Sequence, residues 1–186
     1  MIFLNFYEAN QIDFKKDYCI DNPYPDVTVK SLSFEVVVIL KRILAGNKSE
    51  LTSVMQYVYQ HNIFSNVPSL NNFADALKII SVKEMQHYEI LSRVMVGANI
   101  DPKNCVYIDG NVNVCDFWKS NYVDYTKDVI KMLEADIALE QKAIVEYAEL
   151  VATTNDENLK EIVERIIEDE KTHINYFKAV LEAIKI

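Results

Sequence analysis

Residues 83–91 read KEMQHYEIL and residues 165–177 read RIIEDEKTHINYF, and the fold follows from what these two stretches share. Each places a glutamate three residues before a histidine, as Glu84-x-x-His87 and Glu170-x-x-His173. On a helix, positions i and i+3 share a face, so a carboxylate and an imidazole from one helix can reach a single metal ion. The chain has only three histidines and fifteen glutamates in 186 residues, so two such pairs would arise by chance in about 2 % of chains of this composition. One pair would be weak; two point to a site.

A dinuclear site in a helical bundle also needs one carboxylate from each of two further helices. Glu50 and Glu140 supply them, on stripes that are otherwise apolar (Ile43, Val54, Tyr57 and Leu133, Ile144, Tyr147). A carboxylate on an apolar stripe is costly unless paired, hydrogen-bonded or bound to metal. The spacings repeat: 34 residues separate Glu50 from Glu84 and 30 separate Glu140 from Glu170. Tyr57 and Tyr147 each follow the outer glutamate by seven residues and are expected to hydrogen-bond ligand carboxylates. At roughly 1.5 Å per helical residue, the two glutamates of each hairpin fall at nearly the same height, so all six groups can meet at mid-bundle.

Working outward, the chain is poor in helix breakers, with three glycines and four prolines. Residues 1–30 form an aromatic, irregular arm with Pro23 and Pro25 around Tyr24, expected to pack as an extended segment on the domain or on a partner subunit. Residues 31–186 form one helical domain. The periodicity predicts helix over 31–65; Gly46 and Asn47 interrupt the run, so two helices are open, with one long helix making a close contact at Gly46 preferred. A turn follows at Val67-Pro68-Ser69 with Ser69 as N-cap. Helices are expected over 70–96, 121–152 and 158–184, with an irregular crossover over 98–120. Within that crossover, CVYIDGNVNVC (105–115) could form a short hairpin. The expected fold class is all-α, a four-helix bundle with one long crossover between helices 2 and 3.

Half the residues are hydrophobic, and the net charge of −9 carries no basic stripe, which argues against nucleic acid as a partner. No apolar run is long enough for a membrane span. Cys19, Cys105 and Cys115 form no CxxC pair, which fits a reducing compartment and excludes a cysteine-rich metal site. The N-terminus lacks the basic region of a signal peptide, so a cytoplasmic protein is expected.

The segments SELTSVMQYVYQH (49–61), KEMQHYEIL, DIALEQKAIVEY (136–147) and RIIEDEKTHINYF resemble the four helices of bacterioferritin and its non-haem ferritin-like relatives. Dimanganese catalases are more distant members with similar ligand logic. The resemblance covers residues 31–186 and implies a ferritin-like fold. By it, Glu50, Glu84, His87, Glu140, Glu170 and His173 match the ligand positions, with Glu84 and Glu170 bridging and the histidines terminal. There are departures. Rubrerythrins carry a further glutamate where this chain has Ala143, and the cysteines of a rubredoxin module are missing. Met85 occupies the haem-ligating position of bacterioferritin, but an apolar methionine there is expected to serve dimer packing, so haem is not expected. The arm and the missing fifth helix argue against a 24-subunit storage cage.

Three further residues are weighed as ligands. His61 lies about 16 Å along the axis from Glu50 and is expected to be a core or interface histidine. Asp169 and Asp136 are expected to orient ligands rather than to be ligands. A carboxylate-rich set with two imidazoles suits two Fe or two Mn ions. The expected activity is an oxidoreductase acting on Fe(II), O₂ or peroxide, with an unidentified reductant, as a homodimer or larger homo-oligomer. The alternatives are dimanganese catalase activity and, from another class, a storage or structural protein with little turnover.

Overall fold

A computed structural model describes residues 6–103 and 118–185. Helix makes up 73 % of the described residues, which contain no strand. Two short helices, α1 (Phe6–Ala9) and α2 (Phe14–Asp17), lie in the arm. Five longer ones follow: α3 (Phe34–Ala45), α4 (Glu50–Phe64), α5 (Asn71–Gly97), α6 (Val129–Thr153) and α7 (Glu157–Lys185). They form the ferritin-like four-helix bundle, with its first helix delivered in two pieces.

The single helix expected over 31–65 is therefore corrected. Gly46 ends α3 with its N–H on the Arg42 carbonyl and turns extended, and a Cβ there would lie 2.6 Å from that same carbonyl oxygen. Ser49 then restarts the helix, its hydroxyl accepting from the Thr52 N–H at 3.3 Å. The break makes Glu50 the first residue of α4, where the positive end of the helix dipole favours a carboxylate.

Ser69 is not the cap of the next helix. Pro68–Leu70 form a 3₁₀ turn, and the Asn72 N–H donates to the Asn10 side chain at 2.9 Å, so the arm caps α5. The third long helix starts at Val129 rather than near 121, because Asp128 accepts from the N–H groups of Ile130 and Lys131 and caps it there. Residues 118–128 instead run back along α4: the Trp118 indole donates to Thr52 Oγ1 and the Asp124 N–H to Gln56 Oε1. The possible hairpin at 105–115, with Cys105 and Cys115, lies outside the described residues. Cys19 is a free thiol.

The arm packs on its own bundle, with Ala9, Phe14 and Val29 buried. Val29 crosses the end of α5 so closely that a Cβ on Gly97 would lie 2.8 Å from its carbonyl oxygen. The buried apolar residues form two clusters. One, around Tyr57, Phe73, Leu77, Met132, Tyr176 and Phe177, fills the end near the α4–α5 turn. The other, around Leu40, Leu44, Leu91, Met95, Tyr147 and Ile162, fills the opposite end. A buried polar layer lies between them. Among the described residues no helix is long and apolar enough to cross a membrane.

Candidate metal centre

Glu50 from α4, Glu84 and His87 from α5, Glu140 from α6, and Glu170 and His173 from α7 all project into the layer between the apolar clusters. Each is at most 2 % exposed. They form two overlapping quartets, Glu50, Glu84, His87, Glu170 and Glu84, Glu140, Glu170, His173, in each of which one donor atom per residue lies within 4.8 Å of the others. Glu84 and Glu170 belong to both. The two imidazoles are 6.3 Å apart between centroids. The structure thus brings together all six residues singled out from the sequence.

Each histidine turns Nδ1 toward the carboxylates. His87 Nδ1 lies 3.1 Å from Glu170 Oε1 and 3.5 Å from Glu50 Oε2, and His173 Nδ1 lies 3.0 Å from both Glu84 Oε1 and Glu170 Oε2. Several of these approaches lack hydrogen-bond geometry. Glu50 Oε2, Glu84 Oε1, His87 Nδ1, Glu140 Oε2 and Glu170 Oε1 are all buried with no hydrogen-bond partner. An ionised group buried without compensation costs roughly several kcal/mol. Five buried, unpartnered donor atoms among six clustered residues fit divalent cations, and a set of oxygens with two imidazole nitrogens fits Fe or Mn.

The tyrosines behave as expected, but crosswise. Tyr57 donates to Glu140 Oε1 at 2.5 Å, and Tyr147 donates to Glu50 Oε1. Each half of the repeat thus orients the outer glutamate of the other half.

The electrostatics show what compensates four buried carboxylates when only protons are available. Burial, then repulsion from Glu84 and Glu170, holds Glu50 and Glu140 well above the ordinary carboxylate range. Burial would also raise Glu84, but the close imidazoles of His173 and His87 outweigh it and hold Glu84 low. For the histidines burial favours the neutral ring, yet the surrounding carboxylates win and raise both. Protons sit where cations would otherwise neutralise the layer.

Asp169 lies on the outer side of His87, as the sequence suggested, with Oδ2 3.3 Å from Nε2. Asp136 departs from expectation. It accepts from the Gln56 and Gln60 amides at 2.7 and 2.9 Å rather than from a ligand histidine, and burial raises its pKa to about 7. His61 makes a contact from Nδ1 to the Ala74 carbonyl and takes no part in the cluster. Sequence reasoning passed over Gln56, Gln60, Arg165 and Tyr24. Arg165, one turn before Asp169, and the Pro-Tyr-Pro of the arm were visible signals, but nothing local showed that they meet.

The chain is similar to known proteins over most of its length. A family model described as Rubrerythrin matches residues 45–181, a span that includes all six residues. A probable manganese catalase from Clostridium acetobutylicum is 25 % identical over 174 residues, covering 86 % of this chain and 76 % of that one. Among solved structures, wild-type KatB, a manganese catalase from Anabaena, superposes with a TM-score of 0.73 at 20 % identity, covering 89 % of this chain and 80 % of that one. A second structure of KatB, from Anabaena PCC7120, gives 0.72 at 21 % identity with the same coverage.

Proposed function

The chain belongs to the rubrerythrin family, and from that premise we propose that it is a dinuclear non-haem metal oxidoreductase that acts on peroxide or O₂. The observation that carries this reading is the pair of overlapping quartets sharing Glu84 and Glu170. In it, Glu50, Glu84, His87 and Glu170 would hold one ion and Glu84, Glu140, Glu170 and His173 the other, with Glu84 and Glu170 common to both sets.

Bound there, two redox-active ions would supply the electrons exchanged with peroxide or O₂. The chain's own residues supply the rest. The carboxylates lower the charge of the layer enough to favour divalent cations. Tyr57 and Tyr147 fix one oxygen each of Glu140 and Glu50; Glu50 Oε2 then faces His87, while Glu140 Oε2 is buried with no hydrogen-bond partner. Burial and the neighbouring carboxylates hold both groups above the ordinary carboxylate range, so each favours its protonated form unless a cation compensates it. The apolar clusters on either side exclude water from the layer.

Two activities fit this donor set. Peroxide disproportionation at two Mn ions is favoured by the manganese catalases among the relatives. Peroxide reduction or Fe(II) oxidation at two Fe ions is compatible with the rubrerythrin family match and with a donor set that accepts Fe as well as Mn. Oxygen evolution from peroxide by Mn-loaded and by Fe-loaded protein, with and without a reductant, separates them. Disproportionation releases one O₂ per two peroxides without reductant; a peroxidase consumes reductant and releases none. No turnover of peroxide or Fe(II) under any of these conditions would leave the storage or structural reading.

A further inference from the structure

Both histidines of the cluster are covered on their outer side by the arm. The Phe14 ring lies 5.9 Å from that of His173, and the Tyr24 ring meets that of His87 edge-on at 6.0 Å. Tyr24 does more than cover. Its hydroxyl donates to Asp169 Oδ2 at 2.6 Å, the same oxygen that lies 3.3 Å from His87 Nε2. Arg165 completes the arrangement. Nη1 lies 2.9 Å from that oxygen, the guanidinium carbon sits 4.8 Å from the Tyr24 ring centroid, and Nε and Nη2 donate to the Asn22 carbonyl at 3.0 and 2.9 Å. Lys83 Nζ adds a second cation over the Tyr24 ring, 5.6 Å from its centroid.

We propose that Tyr24 is a positioning residue for the centre: the arm carries its hydroxyl into the groove between α5 and α7, where with Arg165 it pins Asp169 against His87 Nε2. The proposal rests on the dinuclear reading above.

The physical case has three parts. An imidazole that gives Nδ1 to a metal must carry its proton on Nε2, and an acceptor on that side fixes both tautomer and ring orientation. Asp169 can be that acceptor only if its own carboxylate is held still, and the oxygen that faces His87 is the one that Tyr24 and Arg165 contact. Tyr24 and Arg165 hold it. Finally, the proline on each side restricts Tyr24 and its neighbours to extended backbone, so little order is lost when the hydroxyl docks. His173 has the Phe14 ring at its outer side, so the two halves of the centre differ although their ligands repeat.

The test is Tyr24→Phe, which keeps the ring, its contact with His87 and its contact with Arg165, and removes only the hydroxyl. Wild-type, Tyr24→Phe, Asp169→Asn and double-variant proteins are loaded with Mn(II), and metal release to excess chelator is followed. Loss of a group that orients a metal ligand typically weakens metal binding 10–100-fold. The expected result is release of one ion about tenfold faster in Tyr24→Phe, with the other ion at the wild-type rate. Adding Tyr24→Phe to Asp169→Asn should change nothing further. Release of both ions at wild-type rates overturns the proposal, and so does equal acceleration of both, or additivity of the two substitutions. A second readout needs no metal. In metal-free wild type, the His87 Nε2 proton should appear in the NMR spectrum in slow exchange, and Tyr24→Phe should abolish it. Its survival in Tyr24→Phe would count against the role. A wild-type chain that loads fewer than two ions would contradict the dinuclear reading instead, and the proton signal would still decide on Tyr24.

Discussion

Replacing Asp136 by Asn should stabilise the metal-free protein, and more so as the pH rises. Asp136 is fully buried, and burial raises its pKa from 3.8 to about 7 despite hydrogen bonds from Gln60 and Gln56. Asp124 raises it further, while Lys48 opposes. In the folded state the proton is therefore held more tightly than in the unfolded chain. Folding stability from this group is complete below pH 3.8 and is lost as the pH climbs to about 7. At about 1.4 kcal/mol per pH unit, the shift from 3.8 to about 7 corresponds to a penalty of about 4 kcal/mol at pH 8 and about 2 kcal/mol at pH 5.5. Asparagine keeps the shape and never ionises. Its Oδ1 can accept from both glutamines, and its amide supplies a donor where Asp136 Oδ2 and Gln60 Oε1 lie without partners. Thermal unfolding at the two pH values is the assay, on metal-free protein, because cations at Glu140 one turn away would favour the Asp136 charge and shrink the effect. At pH 8 the melting temperature should rise on the order of 10 °C, with about half that gain at pH 5.5. Equal effects at both pH values, or a loss of stability at pH 8, would refute the reasoning.

Other perturbations separate the ligands from their supports. His87→Ala or His173→Ala should each remove one ion by elemental analysis, whereas Glu84→Ala or Glu170→Ala should disrupt both; the exposed Glu89 and Glu149 should tolerate alanine with no loss of metal. Tyr147→Phe leaves Glu50 Oε1 without its buried donor and should lower metal-free stability by about 1–3 kcal/mol in urea titrations, with an unchanged helical circular dichroism spectrum. Divalent Fe or Mn should raise the melting temperature clearly at pH 7 and much less near pH 4.5. The sign follows because cations must displace protons from Glu50, Glu140, His87 and His173, all of which hold protons above their ordinary range. A melting shift as large at pH 4.5 as at pH 7 would contradict that competition.

Most of the bundle was legible because its signals are local. Helical periodicity, the paired Glu-x-x-His spacings and the repeated Glu–Tyr interval each depend on a few neighbouring residues, and the structure brings those groups together. The misses share a different cause. The break before Glu50 depends on a close approach at Gly46 and a cap at Ser49; the interruption at Gly46-Asn47 was readable, but helical spacing on both sides of it favoured a single helix. The cap of α5 comes from Asn10, more than sixty residues away, so Ser69 looked sufficient. The crosswise pairing of Tyr57 with Glu140 and Tyr147 with Glu50 is invisible in sequence, since spacing shows a shared face but not which neighbouring helix it meets. Asp136 illustrates the same limit. Its position one turn from Glu140 suggested service to a ligand, whereas its partners, Gln56 and Gln60, are set by how α4 packs on α6.

The measurement that tests the account most directly is metal content per folded chain. Protein freed of metal, incubated with Mn(II) or Fe(II) at pH 7 and desalted, should retain two ions per chain by elemental analysis, and Glu170→Ala should retain fewer than one while keeping its helical spectrum. A folded wild-type chain that retains one ion or none, or a Glu170→Ala chain that still holds two, would contradict a dinuclear centre built on shared glutamates.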